Sequence, residues 1–307
     1  MAYQSVGTSR FYCNILEFLA STGTAIDDIF RTLPVNPTKI YAGDVNTVPS
    51  GLFTKNVFVA ILGHKFASET AHFSLYDGSY TARVAPDDWI VNGDGGDSDS
   101  TIADYDGFTI AKYPALETNV VAFNFWEAET EQADRTAGSI IIGTFYDMPH
   151  SPDLNLTMTR EYGGVKTIET KGGASLSNDF GSSPPKWGDK SAWQLGNKDF
   201  STGGRRIWDL SFSYLSDSAV FPDNPTELDD EDGIPQGFEV DDTTPDFISE
   251  VVKKCNGGQL PFIFQPDEGN SDPFSGFAIC KFDMKSFSFQ QTAPSLYQCK
   301  VRIREVW

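Results

Sequence analysis

The stretch NVFVAILG at residues 56–63 is a nearly continuous apolar run that is bounded by turn-forming residues. A run of this length predicts a buried strand. The stretch AHFSLY at residues 71–76 follows it and ends in Asp77-Gly78, which is a hairpin signal. Strands at this spacing predict a β-sandwich or barrel over residues 51–150. Four more strands are expected in this region, at Trp89–Val91, Gly107–Tyr113, Val120–Trp126 and Ser139–Tyr146.

The second half of the chain predicts another β domain, over residues 151–307. The stretch RRIWDLSFSYL at residues 205–215 alternates, so one aromatic-rich face is expected to be buried. Residues 245–254 predict a helix with acidic residues in its first turn, lysines in its last turn and glycines after it. Further strands are expected at residues 154–162, 286–290 and 297–307. The aromatic residues expected in the core are Trp208, Phe212, Phe262 and Phe264.

The charge balance of the chain excludes several classes of partner. Its 307 residues include 43 acidic and 23 basic side chains, for a formal net charge of −20. Nucleic acids and anionic membrane surfaces attract cationic faces, so neither is expected as a direct partner. No apolar stretch reaches the length of a membrane-spanning helix, and the first ten residues lack the apolar region of a secretory signal. Abundant Phe, Tyr, Thr, Val, Gly and Pro are typical of a mainly β protein.

Three segments predict little regular structure. Residues 1–50 are expected to be an irregular lead-in or an assembly arm, in which the apolar stretch 11–19 can form one short helix or strand. Residues 86–106 and 222–246 are acidic and poor in apolar side chains, so we expect exposed, solvated loops there.

The four cysteines are Cys13, Cys255, Cys280 and Cys299. They lack the spacing of a metal site and are too few for a disulfide framework, so all four are expected to be reduced. The alternative is a cross-strand bridge between Cys280 and Cys299, because these two lie in strands that could pair.

Motifs that carry catalytic chemistry are absent from the sequence. It contains no nucleophile elbow, phosphate-binding loop, dinucleotide-binding glycine motif or HExxH zinc motif. Nothing in the sequence indicates that the three histidines, His64, His72 and His150, converge on a metal. A glycosidase needs two carboxylates at a fixed distance, whereas the acidic residues here fall mainly in loop-like segments. We therefore expect no enzymatic activity.

The acidic insert offers the hard oxygen ligands that calcium prefers, from Asp94, Asp97 and Asp99. The EF-hand pattern fails, because Ile102 stands where that loop needs glycine, and the segment occurs only once. A plain solvated loop is the alternative interpretation, and no other cofactor is expected.

Aromatic residues that flank the insert suggest a carbohydrate site. Aromatic rings stack on sugar faces, while carboxylates and amides bind the hydroxyl groups. In the alternative interpretation, Trp89 and Tyr113 are core residues at strand ends. The candidate ligand-binding residues are Trp89, Asn92, Tyr105, Asp106 and Tyr113.

Two stretches of the first half, VFVAILGH at residues 57–64 and SIIIGTFY at residues 139–146, carry a family resemblance. They are similar to strands of the galactose-binding-like jelly-roll domains in phage structural proteins. Lys65 stands where those domains usually have asparagine. The resemblance implies a jelly-roll sandwich over residues 51–150.

In the second half, four motifs follow one another in an informative order. They are GGRRIWDLSF at residues 203–212, the helix that leads into Gly257-Gly258, PFIFQPD at residues 261–267 and a last strand that ends in REVW. This order resembles the minor tail and distal tail proteins of long-tailed phages. The resemblance implies a β-sandwich or split barrel with one packed helix. In that family the protein assembles as a ring, commonly sixfold, that joins the tail tube to the tip.

The resemblance implies a virion structural protein of the phage tail that is made in the host cytoplasm. Its expected partners are copies of itself, as a ring that is commonly a hexamer, and neighbouring tail proteins. The jelly-roll domain is expected to face outward. The alternatives are a carbohydrate-binding adhesin, whose partner would be a host-surface glycan, and a head decoration or fibre protein.

Opposite charges at two places suggest how copies could meet. Residues 280–307 carry an excess of basic side chains, whereas residues 222–246 are strongly acidic, so the two patches could join head to tail and close a ring. Arg302 and Arg304 are the residues expected at the subunit interface. Both patches could instead be ordinary solvated faces.

Overall fold

A computed structural model describes residues 6–32, 39–41, 43–49, 51–69, 71–93, 106–127, 131–132, 135–161, 167–177, 205–221, 245–272 and 276–306. Strands account for 50% and helical segments for 13%, and the large sheets are antiparallel. The prediction of a mainly β sandwich is therefore confirmed. In the described part of the chain, no helix is long and apolar enough to cross a membrane.

The strands are numbered in chain order, and each strand predicted from the sequence appears within three residues of its expected ends. The strands are β1 (Arg10–Asn14), β2 (Lys39–Tyr41), β3 (Gly43–Thr47), β4 (Val57–His64), β5 (Ala71–Asp77), β6 (Ala82–Val84), β7 (Asp88–Val91), β8 (Gly107–Tyr113), β9 (Val120–Glu127), β10 (Glu131–Gln132), β11 (Arg135–Ala137), β12 (Ser139–Asp147), β13 (Thr157–Glu161), β14 (Thr167–Glu169), β15 (Ser175–Ser177), β16 (Arg205–Ser216), β17 (Phe262–Gln265), β18 (Ala278–Phe282), β19 (Phe289–Ala293) and β20 (Leu296–Glu305). The helical segments are α1 (Ile15–Ser21), α2 (Phe66–Glu69), α3 (Asp217–Val220), a π-helix at Ile248–Lys253, and 3-10 turns at Asp28–Phe30 and Asn256–Gly258.

Two large sheets build the fold. The larger sheet has eleven strands in the order β13-β16-β20-β18-β17-β1-β12-β4-β8-β7, with β19 paired to β20. The smaller sheet has five strands in the order β10-β9-β5-β6, with β3 paired to β9. The hairpin predicted at Asp77-Gly78 is confirmed, because β5 and β6 pair across that turn.

The first core lies between the smaller sheet and the strands β12, β4 and β8 of the larger sheet. Val59 of β4 and Ile142 of β12 pack there with Phe73 and Phe123 of the smaller sheet, and Leu16 of α1 joins them. The alternate side chains of β4 belong to a separate apolar cluster on the opposite face of the larger sheet. Both faces of β4 are therefore buried, as its apolar run predicts.

The second core lies under the C-terminal half of the larger sheet. Along β12, Ile140 and Ile142 belong to the first core while Tyr146 belongs to the second. Side chains an even number of residues apart point to the same face of a strand. Both cores therefore cover the same face of the sheet. The predicted core residues are all at most 4% exposed and all lie in the second core, namely Trp208, Phe212, Phe262 and Phe264.

The predicted packed helix is present, with π geometry in most of its length. Asp246 begins it by accepting a hydrogen bond from the N–H of Ser249 at 2.9 Å. Phe247, Val251 and Cys255 are each at most 1% exposed. These three residues are four positions apart, so their side chains lie on one side of the helical segment. That side packs on the second core.

Strand β1 connects the two halves of the larger sheet. Phe11 pairs with Tyr146 of β12 on one side and with Phe264 of β17 on the other. Residues 11–16 are all at most 3% exposed. Residues 11–16 are therefore part of the core, together with Phe18, Leu19, Ile29 and Phe30, which corrects the expectation of an irregular lead-in for these positions. The hydrogen bonds of one sheet also run across the predicted boundary at residue 150.

The described cysteines are all free thiols, in agreement with the sequence prediction. Cys280 pairs with Glu305 of β20, whereas Cys299 lies six residues earlier on that same strand. At about 3.3 Å per residue, the two positions are roughly 20 Å apart. A bridge between Cys280 and Cys299 is therefore impossible in this fold.

The close approach of β1 to β12 depends on a glycine. Gly143 of β12 pairs with Asn14 of β1 on one side and with Phe58 of β4 on the other. A Cβ at Gly143 would collide with the carbonyl oxygen of Cys13 and lie 2.9 Å from its carbonyl carbon. Because these neighbours are backbone atoms in the middle of a sheet, they cannot move aside easily.

We expect Gly143→Ala to lower the free energy of unfolding by about 1–3 kcal/mol, the usual cost of overpacking a core. The matched control is Gly172→Ala, where the nearest atom to the new methyl group is Thr170 Oγ1 at 4.0 Å. Urea unfolding of both variants measures the difference. Equal stability of the two variants would show that β1 does not need this glycine.

Candidate functional site

The predicted interface residues Arg302 and Arg304 both lie on β20, on the face opposite the second core. Arg302 Nε is 3.7 Å from Asp209 Oδ1 and 3.4 Å from Asp283 Oδ2. Arg304 donates a hydrogen bond to Glu161 of β13. Carboxylates of the same chain therefore compensate both guanidinium groups, and this face carries mixed charge rather than a cationic patch.

A groove with a volume of about 390 Å³ opens beside Arg302. Its carboxylates can accept hydrogen bonds from a polar ligand, its cationic groups can donate them, and its amide can do both. No histidine or cysteine lines it, so the lining lacks the thiol, or the hydroxyl with an adjacent imidazole, that covalent catalysis commonly uses. The residues that line the groove are Asn155, Asp209, Leu210, Ser211, Asp283, Met284, Lys300, Val301 and Arg302.

Exposed apolar side chains are concentrated in one stretch of the sequence, which begins just before β13 and ends in β16. Of the seven large apolar side chains that are exposed among the described residues, five lie between residues 154 and 214. Strand β13 is the last described strand at this edge, so one side of its backbone is not paired within the sheet. The five side chains, which we call the apolar edge set, are Leu154, Met158, Ile168, Leu176 and Tyr214.

The hairpin β14–β15 carries two members of this set. Among the described strands its two strands pair only with each other. Ile168 and Leu176 lie directly opposite one another across the hairpin and are 70% and 60% exposed. A two-stranded hairpin is marginally stable in water, so a surface that buries this pair would stabilise it.

Tyr214 is presented by an irregularity in β16. The register of β16 against β20 shifts between Phe212 and Leu215, and Tyr214 has a φ of 63°. A bulky residue in this left-handed region costs about 1–3 kcal/mol. Tyr214 is 71% exposed, so its burial within the chain does little to offset that cost. Exposed tyrosines are common anchors of protein interfaces.

Of the predicted carbohydrate residues that the structure describes, Asn92 and Tyr113 are buried. Tyr113 is 3% exposed within the first core, so its ring cannot stack on a sugar. Asn92 is buried, and its amide donates to the carbonyl of Phe108 at 2.6 Å. Trp89 packs against the first core, and a Cβ at Gly93 would collide with its indole ring. Burial corrects the prediction for Asn92 and Tyr113, and Trp89 fits the alternative interpretation of a side chain that packs against the core.

The remaining predicted ligand residues are placed only in part. Asp106 is half-buried just before β8. Tyr105 lies outside the described residues, as do the predicted calcium ligands Asp94, Asp97 and Asp99. Within the described ranges, no group of three His, Cys, Asp or Glu side chains could hold a metal ion. The calcium site therefore stays a prediction.

A buried hydrogen-bond chain, which sequence reasoning missed, lies at the base of the acidic insert. The N–H of Phe66 donates to His64 Nδ1 at 3.3 Å, which places the proton of the neutral ring on Nε2. His64 Nε2 then donates to Thr109 Oγ1 at 2.9 Å. Thr109 Oγ1 in turn donates to the carbonyl of Asn92 at 3.0 Å. Only the uncharged imidazole satisfies every role in this chain.

Burial holds His64 in that uncharged form. It lowers the pKa of His64 from its ordinary value to about 3, against the opposing attraction of the Asp106 carboxylate. An acid–base catalyst works best with a pKa near the operating pH, so His64 has a structural role at neutral pH. His72 is buried in β5 and His150 is exposed, so the three histidines differ in their surroundings.

No family model, curated protein or solved structure matches the chain. The similarity to phage tail proteins and jelly-roll domains therefore rests on the motifs quoted from the sequence.

We expect the stability of the wild-type protein to fall more steeply with acid than that of His64→Gln. The folded pKa of His64 is depressed, so below about pH 6.5 the unfolded state binds a proton that the folded state does not. Stability is then lost at about 1.4 kcal/mol per pH unit as the pH falls towards 3.

Urea unfolding at several pH values between about 6 and 4 measures this slope. Carboxylates titrate in both proteins and cancel in the comparison. His150→Gln is the matched control at an exposed position, and it should keep the wild-type slope. Parallel curves for wild type and His64→Gln would contradict the expectation.

Proposed function

We propose that this chain is a structural protein of a bacteriophage virion, a ring-forming minor or distal tail component at the tail tip. The order of motifs in its second half supports this assignment. In this proposal the first half, similar to a jelly-roll domain, faces outward. The protein acts through its interfaces with copies of itself and with neighbouring tail proteins, and not through catalysis.

The apolar edge set is the observation that carries an assembly function. Soluble monomers rarely expose clustered apolar side chains, and such surfaces commonly mark protein–protein contacts. Here Met158 lies on the edge strand itself, and Leu154 directly follows Asp153, whose N–H donates to the carbonyl of Ser211 on β16 at 2.8 Å. Exposed apolar groups therefore lie beside the edge backbone that a further strand could pair with.

The local charge around this edge favours a second copy of the chain as its occupant. Two molecules with a net charge of −20 repel each other strongly over most of their surface. Residues 153–177 are an exception, because three acidic and three basic residues give this stretch no net charge. The charged residues are Asp153, Arg160, Glu161, Lys166, Glu169 and Lys171.

Arg302 and Arg304 fit the rim of such an interface. Arg304 contacts Glu161 of β13, so the polar face of β20 is continuous with the apolar edge. Interfaces commonly have an apolar centre and a polar, partly solvated rim. The acidic stretch that would complement these arginines is residues 222–246, of which 222–244 lie outside the described residues.

The alternative functions make different demands on the molecule. A carbohydrate-binding adhesin needs exposed rings, whereas Tyr113 is buried and Trp89 is partly buried against the first core. A head decoration or fibre protein would assemble through interfaces in the same way. Labelling the protein in intact virions separates these positions, because a tail-tip component is labelled only there.

We expect the double substitution Ile168→Asp with Leu176→Asp to weaken self-association at least roughly tenfold, because it places two charges on the exposed apolar pair of the hairpin. Light scattering and negative-stain imaging of the purified full chain measure assembly. The matched control is Val45→Asp, an exposed apolar residue on the smaller sheet, which should assemble like wild type. Normal rings from the double variant would show that Ile168 and Leu176 do not take part in self-association.

Reversing the charges of Arg302 and Arg304 tests whether they lie at the rim of the proposed interface. We expect Arg302→Glu with Arg304→Glu to abolish assembly while the fold is kept, because exposed ion pairs contribute only about 1 kcal/mol or less. Circular dichroism and thermal melting check the fold, and light scattering checks assembly. Lys65→Glu, at an exposed position in the first half, is the control. Normal assembly of the double variant would count against the assignment.

A further inference from the structure

Two cysteines that are distant in sequence touch in the second core. Cys13 lies on the central strand β1, and Cys255 directly follows the π-helix and Lys254. Their Sγ atoms are 3.6 Å apart, and each residue is 1% exposed. Neither sulfur is part of the edge or the groove described above, so the pair is independent of the proposed assembly function.

We propose that Cys13 and Cys255 form an oxidisable dithiol, which a peroxide converts into a disulfide that bonds the helical segment to the central strand. One thiolate attacks the peroxide O–O bond, which yields a sulfenic acid and a hydroxide ion that takes up the thiol's proton as water. The second thiol displaces the sulfenic hydroxyl as water. Two thiols and one hydrogen peroxide thus give one disulfide and two waters.

The geometry suits this bond. A disulfide has an S–S length of about 2.05 Å, so the two sulfurs must approach by about 1.5 Å, which is within the reach of side-chain rotation. The bond would close a span of 242 residues between the partners. Cross-links that close long spans restrict the unfolded chain most in the chain-entropy model, so the oxidised form should be more stable.

Access to the pair is controlled by local opening. Burial raises the pKa of the Cys255 thiol well above its ordinary value, so the closed state holds a thiol and reacts slowly. The next three residues, Asn256, Gly257 and Gly258, all have positive φ values, of 49°, 66° and 95°. Glycine adopts such values freely. In this proposal, local opening of this turn and of the π-helix before it exposes the pair while the sheet stays folded.

The test treats the folded full chain with hydrogen peroxide, alkylates the remaining thiols and maps the peptides by mass spectrometry. We expect the number of free thiols to fall from four to two, with a peptide cross-linked between Cys13 and Cys255. The melting midpoint should rise by about 5 °C and return after reduction with dithiothreitol. Cys280 and Cys299 should remain reduced.

Two variants serve as a matched pair, because each removes one buried sulfur. Cys299→Ala should still gain the midpoint shift on oxidation, whereas Cys13→Ala should not. If Cys13→Ala does not fold, the peptide map of the wild-type protein decides alone. Three results would overturn the proposal: no cross-link after exhaustive treatment, separate oxidation of the two thiols to sulfinic acids, or a lower melting midpoint of the cross-linked form.

Discussion

The backbone of β1 can enter the centre of the larger sheet because Gly143 carries no side chain, and the rest of the fold depends on this strand. β1 pairs with β12 and β17, so it joins strands from both halves of the chain. Its side chains alternate between Phe11 in the second core and Tyr12 on the opposite face. The hydroxyl of Tyr12 donates to Gln265 Oε1 at 2.7 Å, which ties β1 to β17 a second time.

This arrangement decides which surfaces remain for function. Both cores lie on one face of the larger sheet, and the opposite face becomes polar along β16 and β20. Arg302 and Arg304 lie there among carboxylates of the same chain. Among the described strands the sheet ends at β13, where Leu154 and Met158 remain exposed, whereas almost all other large apolar side chains that the structure describes are at least partly buried. The proposed assembly surface therefore lies where the intramolecular packing stops.

Sequence periodicity predicted most strands, the packed helix and the aromatic core around Trp208, because each of these is encoded within a few neighbouring residues. Periodicity did not decide whether the candidate carbohydrate residues form a site. An aromatic residue at a strand end, such as Trp89 or Tyr113, has the same local pattern whether it covers a core or faces a ligand. The hydrogen-bond chain through His64 was missed because Thr109 is 45 residues away and gives no signal of its own.

The amino-acid sequence by itself determined that the protein is mainly β, that β4 is buried on both faces, and that one helix packs on an aromatic sheet. Only the tertiary structure decided that β1 is central, that Arg304 is paired with Glu161, and that Cys13 touches Cys255. The physical reason is the range of the interactions. Alternation and helix capping act over a few residues, whereas strand pairing depends on burial summed over the whole chain.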